Sequence, residues 1–201
     1  MRSYEPEKTA LVLIGYQNDY FADDGALVGA LEGGWRQIML QNTNRMLDAL
    51  QDTPVTIIST PIQFTPGYEE LVEPAGILKT IVDVGAFREG TPGSATIDDL
   101  RRRGDRILEI PGKRGLSAFS NTELGATLEA RGIQEVVLAG VVTSICIDST
   151  GRAAAERGYR VSVLSDCTAG RTDYEQEFYC GSIFPLYAEV VEIDDLLSRN
   201  R

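Results

Sequence analysis

The sequence predicts an α/β domain: three layers, α/β/α, built on a mainly parallel six-stranded sheet. Three observations carry that prediction. Short apolar runs of strand length alternate with stretches whose apolar residues recur near a 3.6-residue period. One run, residues 10–14, is apolar at every position, as strands buried on both faces are. Helical stretches separate the strands, which calls for right-handed crossovers rather than hairpins.

The elements follow in chain order. Residues 10–14 (Ala-Leu-Val-Leu-Ile) read as a strand buried on both faces. Residues 35–50 carry Trp35, Ile38, Met39, Met46, Leu47 and Leu50 on one helical face. Residues 55–59 form a second strand led in by Pro54, and residues 106–109 a weaker third, stopped by Pro111-Gly112. Asn121 and Thr122 can cap a helix over 123–131 that ends at Gly132. Residues 135–139 are the fourth strand, and residues 144–157 a helix stopped by Gly158. A strand at 159–164, a helix at 172–184 and a strand at 188–193 complete the pattern. Residues 60–104 break the rhythm with proline, glycine and patchy helical signal at 68–72 and 77–82. We expect one domain over 1–201, with 60–104 as a lid or interface excursion.

Composition narrows the chemistry. The chain has 201 residues, a net charge of -11 and no histidine. A Ser-His-Asp triad, a Cys-His dyad and every His-ligated metal site are therefore excluded. Acid–base work falls to Asp, Glu, Lys, Tyr or Cys. The acidic balance argues against nucleic acid and anionic membrane surfaces as partners. Three cysteines, Cys146, Cys167 and Cys180, are too few and too widely spaced for a disulfide framework. With no signal-peptide pattern and no apolar run of membrane length, the expectation is a cytoplasmic protein with reduced thiols. No metal and no cofactor is expected.

Ligands of an open parallel sheet sit beyond the carboxyl ends of its strands. Three strand ends here carry polar residues: Gly15-Tyr-Gln-Asn-Asp-Tyr-Phe21, the segment 111–119 containing Lys113, and Gly140-Val-Val-Thr-Ser-Ile-Cys146. A thiol in the first turn of a helix meets the positive end of the dipole and free N–H groups, which favour thiolate. Those N–H groups could also receive an oxyanion. Lys113, from a neighbouring strand end, would add a positive charge. The competing reading, that Cys146 is a small buried apolar residue, has about equal weight on position alone. Glycine-rich pieces at 29–34 and 112–115 match neither a P-loop nor a dinucleotide fingerprint.

These segments resemble the isochorismatase-like cysteine hydrolases, which include nicotinamidases and N-carbamoylsarcosine amidases. The resemblance runs from Ala10 to about Ile193 and is most specific over 136–147, where a strand leads through a Gly-x-x-Thr turn to Cys146. Lys113 with Ser117-Ala-Phe119, and Gln17-Asn-Asp-Tyr-Phe21, match two further segments. The resemblance implies a small-molecule C–N hydrolase with Cys146 as nucleophile and Lys113 beside it. It also implies a cis bond between Val141 and Val142, with the N–H groups of Val142 and Cys146 as oxyanion donors. Tyr16, Gln17, Phe64 and Phe119 are possible pocket residues, and a homo-oligomer is expected.

The chain departs from the family where an aspartate would end the first strand, because Gly15 stands there. The family's histidine-bearing metal segment is replaced by Ser59-Thr-Pro-Ile-Gln-Phe64. Three accounts follow. Another group, from Tyr16, Asp19, Glu69 and Glu70, transfers the proton. Alternatively Gly15 opens room for a bulkier ligand that assists the chemistry. In the third account the fold is a noncatalytic binding or assembly module. For Asp19 a loop cap, and for Glu69 and Glu70 a solvated helix start, are the stronger readings.

Overall fold

Residues 5–31 and 34–198 are described by the computed structural model; residues 32 and 33, inside the glycine-rich piece 29–34, lie outside the described part. Six strands form one sheet: β1 (Thr9–Ile14), β2 (Thr56–Thr60), β3 (Leu108–Glu109), β4 (Glu135–Val141), β5 (Arg160–Ala169) and β6 (Glu189–Val191). Their spatial order is β3-β2-β1-β4-β5-β6 and every pair is parallel. The helices are α1 (Asn18–Phe21), α2 (Trp35–Ala49), α3 (Gly76–Val84), α4 (Asp98–Arg101), α5 (Leu124–Ala130), α6 (Asp148–Glu156), α7 (Asp173–Phe178) and α8 (Ile193–Ser198). The predicted α/β architecture is the observed one.

All residues of β1 and β4 are buried, as their apolar runs require. These central strands are also where the chain reverses its direction of winding. From β1 it steps out through β2 to β3, then returns to lay β4 on the other side of β1. In open α/β sheets such a switch point is where ligands bind, here beyond the carboxyl ends of β1 and β4.

Several elements differ from the sequence pattern for identifiable reasons. The third strand shrinks to Leu108–Glu109, because Arg106 turns its guanidinium to the carbonyls of Leu50, Gln51, Thr53 and Val55. The fifth strand runs on to Ala169, because Thr168 and Ala169 pair with Gly140 and Val141 beyond an irregularity in the ladder. β6 stops at Val191, because the Asp166 carboxylate accepts the Ile193 N–H at 3.1 Å where α8 begins.

The expected helix at 144–157 is instead a π-helical turn, Thr143–Ile147, followed by α6. The expected helix at 172–184 divides into α7, a π turn at Tyr179–Ile183 and a 3-10 turn at Phe184–Leu186. Within 60–104, α3 forms as expected, whereas 68–72 does not become helical. Tyr68 has φ of 56° and donates its hydroxyl to Ala86 O at 2.7 Å.

Candidate active site

The ends of β1 and β4 are pressed together. A Cβ at Gly140 would overlap the Ile14 backbone, and φ of 125° is open only to glycine. The chain then makes a cis peptide bond between Val141 and Val142 and enters the π turn that carries Cys146. Val142 O accepts the N–H groups of Ile145 and Ile147, one on each side of Cys146. Cys146 therefore lies in a π turn ahead of α6, not in the first turn of an α-helix, which corrects the expectation from sequence.

Helix α7 holds this turn. Thr143 Oγ1 donates to Gln176 Oε1 at 2.6 Å, and Ser144 Oγ donates to the Glu175 carboxylate. Gln176 Nε2 reaches Ser165 O at 2.9 Å and Thr168 Oγ1 at 3.1 Å, so one buried carboxamide ties α7, the end of β5 and the π turn together. Burial raises the Glu175 pKa. The hydrogen bonds from Ser144 and Arg171, together with the Arg171 charge, outweigh it and hold the carboxyl below its ordinary value.

Lys113 enters from the segment after β3, in a bridge with Ile62. It is fully buried, and its Nζ lies 3.4 Å from Cys146 Sγ. Its other partner is the carbonyl of Gly115. Among the described residues no carboxylate pairs with it. Cys146 is itself 4% exposed, so the two groups share a nearly dry site.

Gly15 has φ of 74°, and a Cβ there would lie 2.7 Å from Val141 O, 2.9 Å from Val141 Cγ2 and 3.5 Å from Tyr20 Cε2. A Cβ at Gly15 would thus press on the Val141 backbone and lie in ordinary contact with the Tyr20 ring.

The other candidates are placed as follows. Tyr16 directs its hydroxyl to Thr43 Oγ1 at 2.7 Å on α2 and stacks on Phe21. Gln17 has both ends committed, Nε2 to Ile62 O and Ser94 O and Oε1 to Ile62 N, each at 2.7 Å. Phe64 is core beneath Tyr68, and Phe119 stacks on Tyr159 under the Arg157 guanidinium. The structure brings together Cys146, Lys113, Val141, Val142 and Gly15, and Gln17 is tied to Ile62, the bridge partner of Lys113.

Asp19 is a loop clamp. Its Oδ2 accepts the Phe87 N–H at 2.6 Å and its Oδ1 the Ala26 N–H at 3.3 Å. Glu69 and Glu70 wrap the Thr65 hydroxyl, and Glu70 also pairs with Arg114 at 2.7 Å, next to Lys113.

The isochorismatase domain matches residues 9–195 of the chain. The protein belongs to the isochorismatase family. Nicotinamidase 3 of Arabidopsis thaliana is 29% identical over 69% of this chain and 70% of its own length. The ureidoacrylate amidohydrolase RutB of Agrobacterium fabrum is 28% identical over 82% of this chain and 77% of its own. A cysteine hydrolase from Pseudomonas syringae pv. phaseolicola superposes with a TM-score of 0.85 at 20% identity, covering 99% of this chain and 95% of that one. The N-carbamoylsarcosine amidase of Thermoplasma acidophilum gives 0.73 at 24% identity over 93% and 97%.

These family relatives are hydrolases, and this chain is an isochorismatase-family hydrolase. A metal ion held through histidine, which the resemblance raises for the family's histidine-bearing segment, does not fit here. The segment 59–64 offers no histidine, and among the described residues no three His, Cys, Asp or Glu side chains converge. Among the described residues no helix is long and apolar enough to cross a membrane.

Sequence reasoning passed over three residues of this site. Glu175 and Gln176 hold the π turn that carries Cys146 from a helix thirty residues downstream, a relation that no local pattern encodes. Tyr20, whose ring lies over Gly15, belongs to a matched motif but carries no signal of where its hydroxyl points.

Proposed function

We propose that the protein hydrolyses a C–N bond of a small amide-type compound through a Cys146 thioester, with Lys113 carrying the proton. The observation that supports this reading is the 3.4 Å approach of Lys113 Nζ to Cys146 Sγ in a buried site at the sheet's switch point. By the resemblance, Gly15 stands where relatives have an aspartate. The amine of Lys113 is then the group able both to accept and to return a proton beside the sulfur.

In the proposed sequence Lys113 holds the proton of Cys146, and the thiolate attacks the carbonyl carbon. The oxyanion rests on the N–H groups of Val142 and Cys146. The Lys113 ammonium gives its proton to the nitrogen as the C–N bond breaks and the amine leaves. Lys113 then takes a proton from the water that attacks the thioester. When the C–S bond breaks, the acid departs and the thiolate–ammonium pair is restored. No metal and no cofactor takes part. Self-association and a cytoplasmic location, the latter in keeping with three free thiols, belong to the same proposal.

The test is a panel of primary amides and ureido compounds, followed by amine release and by intact mass. The expected result is an acyl adduct on Cys146 and turnover lost in Cys146→Ala. Full turnover in Cys146→Ala would overturn the mechanism.

A further inference from the structure

Tyr20 is a polar residue without an obvious structural task. It is 2% exposed, in α1, with its ring packed on Phe87 at a centroid distance of 5.1 Å. Its Cε2 atom, adjacent to the carbon bearing the hydroxyl, lies 3.5 Å from where a Gly15 Cβ would be. The hydroxyl edge of the ring thus occupies the ground that a longer side chain at position 15 would take. Tyr16, Tyr68 and Tyr187, also buried or half-buried, each place their hydroxyl on a partner. Among the described residues the Tyr20 hydroxyl makes no hydrogen bond. It is also not among the fully buried polar atoms left without a partner, so the hydroxyl keeps some of the small exposure of the residue and can meet an incoming group.

The Tyr20 phenol is within electrostatic reach of Cys146. Burial foremost, then the charges of Cys146 and Asp19, drive its pKa well above the ordinary phenol value. Such a phenol keeps its proton throughout, so it serves as a hydrogen-bond donor and not as a base. The adjacent Asp19 carboxylate is already committed to the amides of Phe87 and Ala26.

We propose that Tyr20 is a specificity-determining residue of the Cys146 site, whose hydroxyl donates a hydrogen bond to a second acceptor oxygen of the substrate. This rests on the cysteine-hydrolase reading and adds a substrate class to it. The preferred compound carries a carbonyl or carboxyl oxygen on the atom next to the scissile carbonyl, where Tyr20 reaches it. A plain alkyl amide leaves the hydroxyl unpaired and is turned over less well. The donor is neutral, so its contribution is that of one ordinary hydrogen bond.

The experiment measures alkylation rates of Cys146 by peptide mass spectrometry in the wild type and in Tyr20→Phe. Two reagents are compared: iodoacetamide, which carries a carbonyl oxygen next to its reacting carbon, and methyl iodide, which does not. The expected result is that Tyr20→Phe lowers the iodoacetamide-to-methyl iodide rate ratio by about five-fold, the scale of one neutral hydrogen bond. Its melting temperature stays at or above that of the wild type, because no internal partner is lost.

A loss of packing or of thiol reactivity would slow both reagents together and leave the ratio unmoved. An unmoved ratio therefore overturns the proposal while leaving the hydrolase reading intact. A fall in melting temperature with an unmoved ratio assigns Tyr20 to structure instead. If Cys146 of the wild type reacts with neither reagent, the hydrolase reading itself fails, and the proposal with it.

Discussion

Lys113 Nζ lies 3.4 Å from Cys146 Sγ: the lysine side chain is fully buried, and no carboxylate pairs with it among the described residues. A buried ammonium beside a neutral thiol would be an uncompensated charge, which proteins avoid at a cost of several kcal/mol. Lys113 Nζ is the polar side-chain partner that reaches the sulfur. Lys113→Met removes that partner while keeping most of the buried volume. Cys146 alkylation at neutral pH is expected to slow by at least about ten-fold, the order of one charge-assisted hydrogen bond. An unchanged rate, followed by mass spectrometry, would show that Lys113 does not prepare the thiol.

The other two thiols set an internal contrast. Burial first, then the neighbouring Asp166 charge, pushes Cys167 far above the ordinary thiol range, and burial pushes Cys180 up to about 11. Only the thiolate reacts with alkylating agents. Native protein treated with iodoacetamide at pH 8 is expected to take label at Cys146 alone. Cys180 should begin to label only as the pH approaches 11. Peptide mapping checks this, and early labelling of Cys180 would show that its helix segment opens.

Gly15→Asp looks from the sequence like a restoration, and the structure reverses that expectation. The residue has φ of 74°, and its Cβ would meet Val141 O at 2.7 Å. A non-glycine residue held in this backbone region carries about 1–3 kcal/mol of strain. For a domain of this size that amounts to a fall in melting temperature of roughly 2–12 °C. Gly15→Ala carries the same strain and serves as its control. We expect both variants to melt lower and neither to gain amidase activity. A stable, more active Gly15→Asp would mean that this backbone leaves the left-handed region once a side chain is present.

What was legible in the sequence is what is local. The apolar runs of β1 and β4 and the glycine ending each of their neighbouring turns are contiguous signals, and they place Cys146 and Gly15 at the same end of the sheet. The continuation of β5 through Ser165, Asp166 and Cys167 is not legible, because those residues look like a loop. They stay extended only because Thr168 and Ala169 pair with β4. The π turn at Cys146 has no residue signature either. It depends on Gln176 and Glu175 reaching back from α7. Phe87 presents a further case: a bulky residue at φ of 57° is an outlier, held by a carboxylate oxygen of Asp19 far upstream, by the Phe64 N–H on its carbonyl and by the Tyr20 ring.

The role of Gln176 can be tested separately from that of the thiol. Truncating Gln176 to Ala leaves the hydroxyls of Thr143 and Thr168 and the carbonyl of Ser165 without their partner. A lost buried partner costs about 1–3 kcal/mol, a drop of roughly 2–12 °C in melting temperature here. If the carboxamide positions the π turn, Cys146 alkylation falls as well, even at temperatures where the variant is fully folded. Normal alkylation with lowered stability would restrict Gln176 to a structural tie.

Glu175 gives the turn a pH dependence with a definite sign. Its carboxyl is held below the ordinary 4.5, so the folded state binds the proton less readily than the unfolded chain. Its contribution to stability is complete above the ordinary glutamate range and disappears as the pH falls through the lower folded value. Glu175→Gln keeps an acceptor for Ser144 and for the Arg171 N–H but loses the charge that pairs with the guanidinium. The wild type should therefore melt higher than Glu175→Gln near neutral pH. The gap should narrow as the pH drops below 4.5 and close once the carboxyl is protonated. Asp166 works in the opposite direction, because burial raises its carboxyl, opposed only in part by the Ile193 N–H. It favours the fold at low pH and costs stability as the pH rises through its elevated value. Asp166→Asn should thus gain on the wild type near neutral pH and lose that gain in acid. Melting curves of the two variants across pH 3–7 should diverge in opposite senses, and parallel curves would show that neither carboxyl is perturbed in the folded chain.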